Sequence, residues 1–329
     1  LLDSFQAGLF QPGLWLTKEV RLRKRITPVL CSCVVLVWFL TACQPTTAVR
    51  VAASPAPLAS PTLALPVSPT PTQPFHQALP HPAHVVIVME ENHSYADIIG
   101  SANAPYINAL ASEGATFRQS FAITHPSEPN YLALFSGSTY GLTSDACPET
   151  FTSANLGSEL RARGFSFTGY SEGLPGVGAT TCSSGSYARK HSPWVNFPDI
   201  STSANQPFTS FPGSSNYSSL PTVAFVIPDL NDDMHDGTIQ EGDTWLKQNL
   251  SAYVIWAQKN NSLLIVTWDE DDGSESNQIP TLFVGPMVQP GQYSEIINHY
   301  RVLRTLEDMY GLAPLANSSA VAAIADCWS

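Results

Sequence analysis

Two nearly continuous apolar runs, far apart in the chain, both stop abruptly at carboxylates. Residues 85–89 lead into Glu90-Glu91-Asn92-His93, and residues 263–268 lead into Asp269-Glu270-Asp271-Asp272. A run that stays apolar at successive positions reads as a strand covered on both faces, the habit of parallel sheets. Open α/β folds gather their ligands at the carboxyl edge of such strands. The two runs therefore limit the chain to a helix-covered sheet with acidic tips at one edge. A third run, residues 223–227, obeys the same rule, because Asp229-Leu230-Asn231-Asp232-Asp233-Met234-His235-Asp236-Gly237 follows it.

The punctuation between these runs agrees. Pro105 opens a helix over 105–110, where its missing N–H costs nothing. Residues 115–123 read as a strand, and Ser127 opens a helix that continues through 131–135. A helix over 156–163 stops at Gly164, and residues 165–170 form the next strand. Residues 171–221 are rich in Ser, Gly and Pro, lack a period, and read as an irregular excursion. Regular alternation then resumes with a helix over 242–259, a strand over 281–284 and a helix over 300–310 that stops at Gly311. Such alternation predicts a three-layer α/β/α sandwich with a mostly parallel central sheet, in one domain over 84–329.

The chain upstream of that domain has a different character. Arg21, Arg23, Lys24 and Arg25 precede an apolar stretch of 17 residues over 26–42, which is short for a spanning helix and reads as a signal peptide. It ends in Leu40-Thr41-Ala42-Cys43, the pattern of a bacterial lipobox in which Cys43 becomes the lipidated N-terminus. An uncleaved signal anchor is the alternative. Either one predicts export, with the protein held at the outer side of the bacterial cytoplasmic membrane or at the cell surface. Residues 1–20 carry no initiating Met and read as an over-extended start or a fragment edge. From 44 to 83 the chain holds ten prolines and a single charge, Arg50, the composition of a semi-extended tether.

Cysteine use fits an oxidising compartment. Cys31, Cys33 and Cys43 belong to the leader, which leaves Cys147, Cys182 and Cys327. Cys147 and Cys182 flank one segment and are the expected disulfide, with Cys327 the odd one. The net charge of −12 removes the basic field that nucleic-acid binding needs. An anionic substrate must then be held by a metal and a few local donors. Nothing in the pattern asks for a second copy, and a monomer is expected.

Ser127 is the candidate nucleophile. It begins a helix, where exposed N–H groups and the positive dipole end favour a phosphoryl group, and His125 and Asn130 flank it. The plain alternative is a helix cap, since Ser is a usual cap residue. Glu91 and Asn92 beyond one strand, and Asp269 and Glu270 beyond another, offer the oxygen donors a hard divalent cation prefers. The plain alternative for the second pair is an acidic turn closed by Gly273. His235 could donate to phosphate or protonate a leaving group, and His299 opens the last helix.

Taken in order, Glu90-Glu91-Asn92-His93-Ser94-Tyr95, His125-Pro126-Ser127-Glu128-Pro129-Asn130-Tyr131, Asp233-Met234-His235-Asp236, Thr267-Trp268-Asp269-Glu270 and Asn298-His299-Tyr300 resemble the phosphoesterase family of bacterial acid phosphatases and phospholipases C. That family lies within the alkaline phosphatase superfamily. The likeness covers nearly all of 84–329 and is greatest to short acid phosphatases, some of which act on phosphoinositides. It implies an alkaline phosphatase-like sandwich and one divalent metal, of identity open among Mg, Mn, Ca and Zn, held by Glu91, Asn92, Ser127, Asp269 and Glu270. It further implies attack by Ser127 through a phosphoseryl intermediate, with His125, His235, Asp236 and His299 lining the pocket as phosphate donors or leaving-group acid. The substrate expected on this basis is a phosphorylated small molecule or a phospholipid headgroup. A phosphodiesterase or phospholipase C is the second reading, and a non-enzymatic surface binding protein the third. Ser127-Glu128-Pro129 superficially resembles the sulfatase motif, but Tyr131 stands where that motif wants Arg.

Overall fold

The computed structural model describes residues 79–273 and 276–329; the leader, the lipobox at Cys43 and the tether as far as residue 78 lie outside the described residues. The strands in chain order are β1 (His84–Glu90), β2 (Ala115–Phe121), β3 (Phe167–Ser171), β4 (Ser183–Ser184), β5 (Tyr187–Ala188), β6 (Asn205–Pro207), β7 (Val223–Ile227), β8 (Ser262–Trp268), β9 (Thr281–Val284) and β10 (Gly291–Asn298). All but the β4–β5 hairpin share one sheet, in the order β10-β2-β9-β8-β1-β7-β3-β6. Neighbours pair in parallel except around β9, which runs antiparallel to both β2 and β8.

The apolar runs are buried on both faces, as expected, and successive residues divide between two cores. Val85, Ile87 and Met89 join the core that contains helix α3 (Ser127–Ser136), helix α4 (Leu156–Ala162) and helix α6 (His299–Tyr310). Val86 and Val88 join the opposite core, under the short helix α1 (Tyr95–Ile98), helix α2 (Pro105–Glu113) and helix α5 (Ile239–Ala257). This is the α/β sandwich that the alternation predicts. Local chemistry sets the helix ends. Pro105 stands in the first turn of α2, and α6 starts from the Asn298 side chain and stops at left-handed Gly311. Helix α3 stops at Gly137 (φ 73°), where a Cβ would lie 2.2 Å from the Leu315 carbonyl oxygen.

Several boundaries differ from expectation. Helix α5 begins before residue 242 because Thr238 and Glu241 cap each other's backbone N–H groups. Strand β2 ends at Phe121, since the backbone N–H groups of Ile123 and Thr124 donate to Asn130 instead of to a neighbouring strand. The excursion over 171–221 is less irregular than its composition suggests, for it contributes β6 to the sheet edge and the β4–β5 hairpin. Strand β10 was hidden altogether, being mostly polar, with half of its residues exposed and only Ile297 buried. The domain also begins before residue 84. Ala83 N–H donates to the Asn261 carbonyl, and the Tyr310 hydroxyl donates to that of Pro82. The disulfide joins Cys147 to Cys182 as expected, and Cys327 is a buried free thiol.

Candidate active site

Because every long strand but β9 points the same way, the exits of β1, β2, β7, β8 and β10 meet at one rim. Glu91 and Asn92 leave β1, Ser127 follows β2, Asp233 and His235 follow β7, Asp269 and Glu270 leave β8, and His299 follows β10. Ser127 is the first residue of α3, behind an extended Pro126 that makes no side-chain cap. Its hydroxyl therefore does not cap its own helix. Ser127 Oγ donates to Glu91 Oε2 at 3.0 Å and lies 3.3 Å from Glu270 Oε1. The expected convergence of serine and strand-tip carboxylates is present.

Around that hydroxyl the acids are buried and crowded. Glu91 accepts the Tyr131 hydroxyl on Oε1, and its own N–H donates to the Asp233 carbonyl. Asp269 Oδ1 accepts the Asn92 N–H at 3.2 Å, which ties the β1 exit to the β8 exit, with Asn92 in a left-handed conformation. His125 is the solvent-facing member, with half-exposed side chain, Nδ1 2.7 Å from Glu270 Oε2 and Nε2 3.4 Å from Asp271 Oδ1. His235 Nδ1 meets Asp236 Oδ1 at 2.7 Å, and its Nε2 lies 3.2 Å from Lys190 Nζ. Lys190 also donates to Asp145 Oδ2 at 3.0 Å, while Asp145 Oδ1 accepts the Glu128 N–H in the first turn of α3.

Asn130, expected beside the nucleophile, and His299, expected to line the pocket, both make bonds that hold the site's walls. Both polar atoms of Asn130 are spent on the loop before α3, accepting from Ile123 and Thr124 and donating to the carbonyls of Thr124 and Pro126. His299 is buried and bonds through Nε2 to the Asp269 carbonyl at 2.7 Å. Burial depresses its pKa to about 4, and its bond to the Asp269 carbonyl makes it a strut under that residue. Conversely, His191 and Asp233 were not singled out as ligands. His191 Nε2 lies 3.1 Å from Glu91 Oε1 and its Nδ1 3.1 Å from Asp233 Oδ2, with the ring stacked on Tyr131. His191 sits in the aperiodic excursion, with no strand tip to flag it. Asp233 was visible only as one of several acids in a loop.

These side chains fit a cation. His191 Nε2, Asp233 Oδ2 and Asp269 Oδ2 are buried without a hydrogen-bond partner; the close contacts between His191 and its two carboxylates are misaligned for hydrogen bonds. Burial, reinforced by Asp269 and Asp233, holds Glu91 well above the usual carboxylate range, and burial does the same to Asp233. Burial and Glu270 push Asp269 up to about 8, and burial pushes Glu270 up to about 7. Burial also holds His191 well below its ordinary value. Carboxylates that resist ionising and an imidazole that resists protonation are both relieved by one divalent cation. Glu91, His191 and Asp233 bring ligand atoms within 4.8 Å of one another. Oxygen donors suit Mg, Mn or Ca, and the imidazole extends the choice to Zn.

Comparison with known proteins bears directly on the chemistry of this rim. The model of the phosphoesterase family matches residues 101–313. The chain belongs to the phosphoesterase family. A phosphatidylinositol-3-phosphatase of Mycobacterium tuberculosis is 58% identical over 252 residues, covering 76% of this chain and 84% of that protein. An acid phosphatase of Aspergillus fumigatus is 28% identical over 244 residues, and a phosphate-repressible acid phosphatase of Penicillium chrysogenum 30% identical over 230. These cover 68% and 64% of this chain, which spans about half of either fungal protein, 54% and 55%. Among solved structures, a lipoteichoic acid synthase of Listeria monocytogenes superposes with TM-score 0.53 at 11% identity over 75% of this chain and 76% of that one. An alkaline phosphatase superfamily protein of Vibrio parahaemolyticus gives 0.50 at 14% identity over 75% and 74%. Both are likenesses of fold. This phosphoesterase-family chain is a phosphoric ester hydrolase on an alkaline phosphatase-like sandwich.

Proposed function

We propose that the chain is a metal-dependent phosphomonoesterase that uses Ser127 as nucleophile. The observation that carries this reading is the Ser127 hydroxyl, uncommitted to capping and held between Glu91 and Glu270. Ser127 Oγ attacks phosphorus in line, forming the Oγ–P bond as the bond to the leaving oxygen breaks, and its proton passes to Glu270. His125, braced by Glu270 and Asp271 at the solvent edge, protonates the leaving alcohol. Water activated by the same imidazole then attacks the phosphoserine, freeing phosphate, while Ser127 recovers its proton from Glu270. Lys190 and His235 grip the non-bridging oxygens. A divalent cation held by Glu91, Asn92, Ser127, Asp269 and Glu270, with His191 and Asp233 adjoining, would neutralise charge at the hydroxyl and on the phosphoryl group.

The substrate class is proposed to include phosphoinositide headgroups, supported by the name of the 58% identical relative. Export and a lipid anchor at Cys43 are proposed from the lipobox; a Cys43→Ser protein that still sediments with membranes would argue for a signal anchor. Ser127→Ala tests the mechanism. It is expected to lower p-nitrophenyl phosphate turnover by at least about 10³-fold, the scale of losing covalent catalysis, with an unchanged melting temperature. Undiminished turnover would remove Ser127 from the chemistry.

A further inference from the structure

A second acidic group lies on the other face of the sheet. In the order β1-β7-β3, Glu90 and Glu172 flank β7. Val88 pairs with Val226, and Ser171 with Ile227. Continuing both registers sets Glu90 and Glu172 level with the same residue, Pro228. Strand alternation decides which way they face. Val86, Val88 and Tyr170 pack in the core with Leu246 and Leu250 of α5, so Glu90 and Glu172 fall on that side. Glu91, one residue on, turns toward α3 and Ser127. Two strand spacings, about 10 Å, separate the two glutamates, and the loop leaving β7 brings Asp229 and Asp232 into the gap.

The contacts unite three of these four acids. One carboxylate oxygen each from Glu172, Asp229 and Asp232 lies within 4.8 Å of the others. Glu90 is wholly buried, and neither of its oxygens has a hydrogen-bond partner. The charges that bear on it come from Asp233, Asp232, Asp243 and Glu172. Among the described residues, none of these four acids (Glu90, Glu172, Asp229, Asp232) forms an ion pair with Lys, Arg or His. A polar cavity of about 660 Å³, lined by Glu172, Asp232, Thr238, Glu241 and Trp245 among others, opens beside two of these acids, Glu172 and Asp232. Its width admits the waters that complete a large coordination shell.

We propose that Glu172, Asp229 and Asp232, backed by the buried carboxylate of Glu90, bind a second divalent cation, calcium, apart from the centre around Ser127. All the donors are oxygens, and the site is roomy and partly on a loop, which suits calcium's six to eight flexible ligands better than magnesium's rigid octahedron. The cation pins the β7 exit loop, which also carries Asp233 and His235 to the opposite side. Its binding thus steadies the catalytic rim without touching substrate.

Calcium titration of the chelator-stripped chain by calorimetry, paired with thermal melts, tests this directly. Wild type is expected to bind a calcium ion that Asp269→Asn still binds and the Glu172→Gln/Asp232→Asn double variant does not, so that the double variant loses that ion's share of the calcium-dependent rise in melting temperature. Loss of the same binding event in both variants would mean one shared site and overturn the proposal, as would an unaltered calcium response in the double variant. Glu90→Gln separates a ligand from a merely buried acid. It should raise the melting temperature of the calcium-free protein while weakening calcium binding at least about tenfold. Unchanged calcium affinity in Glu90→Gln would exclude Glu90 from the site.

Discussion

At the scale of single residues, the rim separates groups that touch phosphate from groups that hold others in place. Lys190 belongs to the first kind. Burial disfavours its ammonium, but Glu91 and Asp145 outweigh that and hold its pKa above the ordinary value. The charge is therefore kept where phosphate arrives. A charge-assisted hydrogen bond of this kind contributes about 1.5–3 kcal/mol, so Lys190→Met should lower kcat/KM by about 10- to 100-fold, chiefly through KM. Lys190→Arg should restore part of it, and steady-state kinetics that leave KM unmoved in Lys190→Met would confine the residue to its bonds with Asp145 and His235. Nothing about Lys190 or His191 was legible in the sequence, because both lie in the excursion where no period marks them. Glu91, Asp269 and Ser127 were legible for the opposite reason: each follows a run or opens a helix whose ends could be read.

At the scale of elements, α6 shows how a helix is fastened to the segment that follows it. Glu307 is buried and accepts from the Leu315 N–H at 2.9 Å and from Ser318 Oγ at 2.8 and 2.7 Å, closing the chain after Gly311 back onto the helix. Burial pushes its carboxyl from 4.5 up to about 7 despite those donors. The folded state thus binds this proton more tightly than the unfolded chain. Its stabilising effect is complete below pH 4.5 and is lost as pH rises toward 7. Glu307→Gln should flatten the fall in melting temperature over that interval, by about 1 kcal/mol after discounting for partial solvent screening. Melts at pH 4.5 and 7.5 that keep the wild-type difference would refute the assignment. The helices and buried strands were readable from apolar period and capping signals, whereas β10, with no apolar run, and β6, only three residues long, were not. Their places are set by partners elsewhere in the sheet, which no local pattern records.

At the scale of the whole molecule, the fold spends burial on charge. Glu91, Asp233, Asp269 and Glu270 arrive from three separate strand exits, and bringing them together without a cation leaves mutually repelling carboxylates out of water. Such a cluster makes stability conditional on what binds it. A cation present at 100 times its dissociation constant stabilises the folded state by about 2.7 kcal/mol, and in a domain of this size that raises the melting temperature by about 5–10 °C. Stripping the protein with chelator should therefore lower both its melting temperature and its phosphatase activity, and restoring the divalent cation should recover the two together. Asp269→Asn, with one carboxylate charge fewer, should be less destabilised by stripping and less rescued by metal. The proposed calcium group adds a second dependence, so the Glu172→Gln/Asp232→Asn background isolates the catalytic centre's share. If that background melts at one temperature with and without bound metal, its metal content verified by elemental measurement, the strand tips do not depend on a cation to stand together.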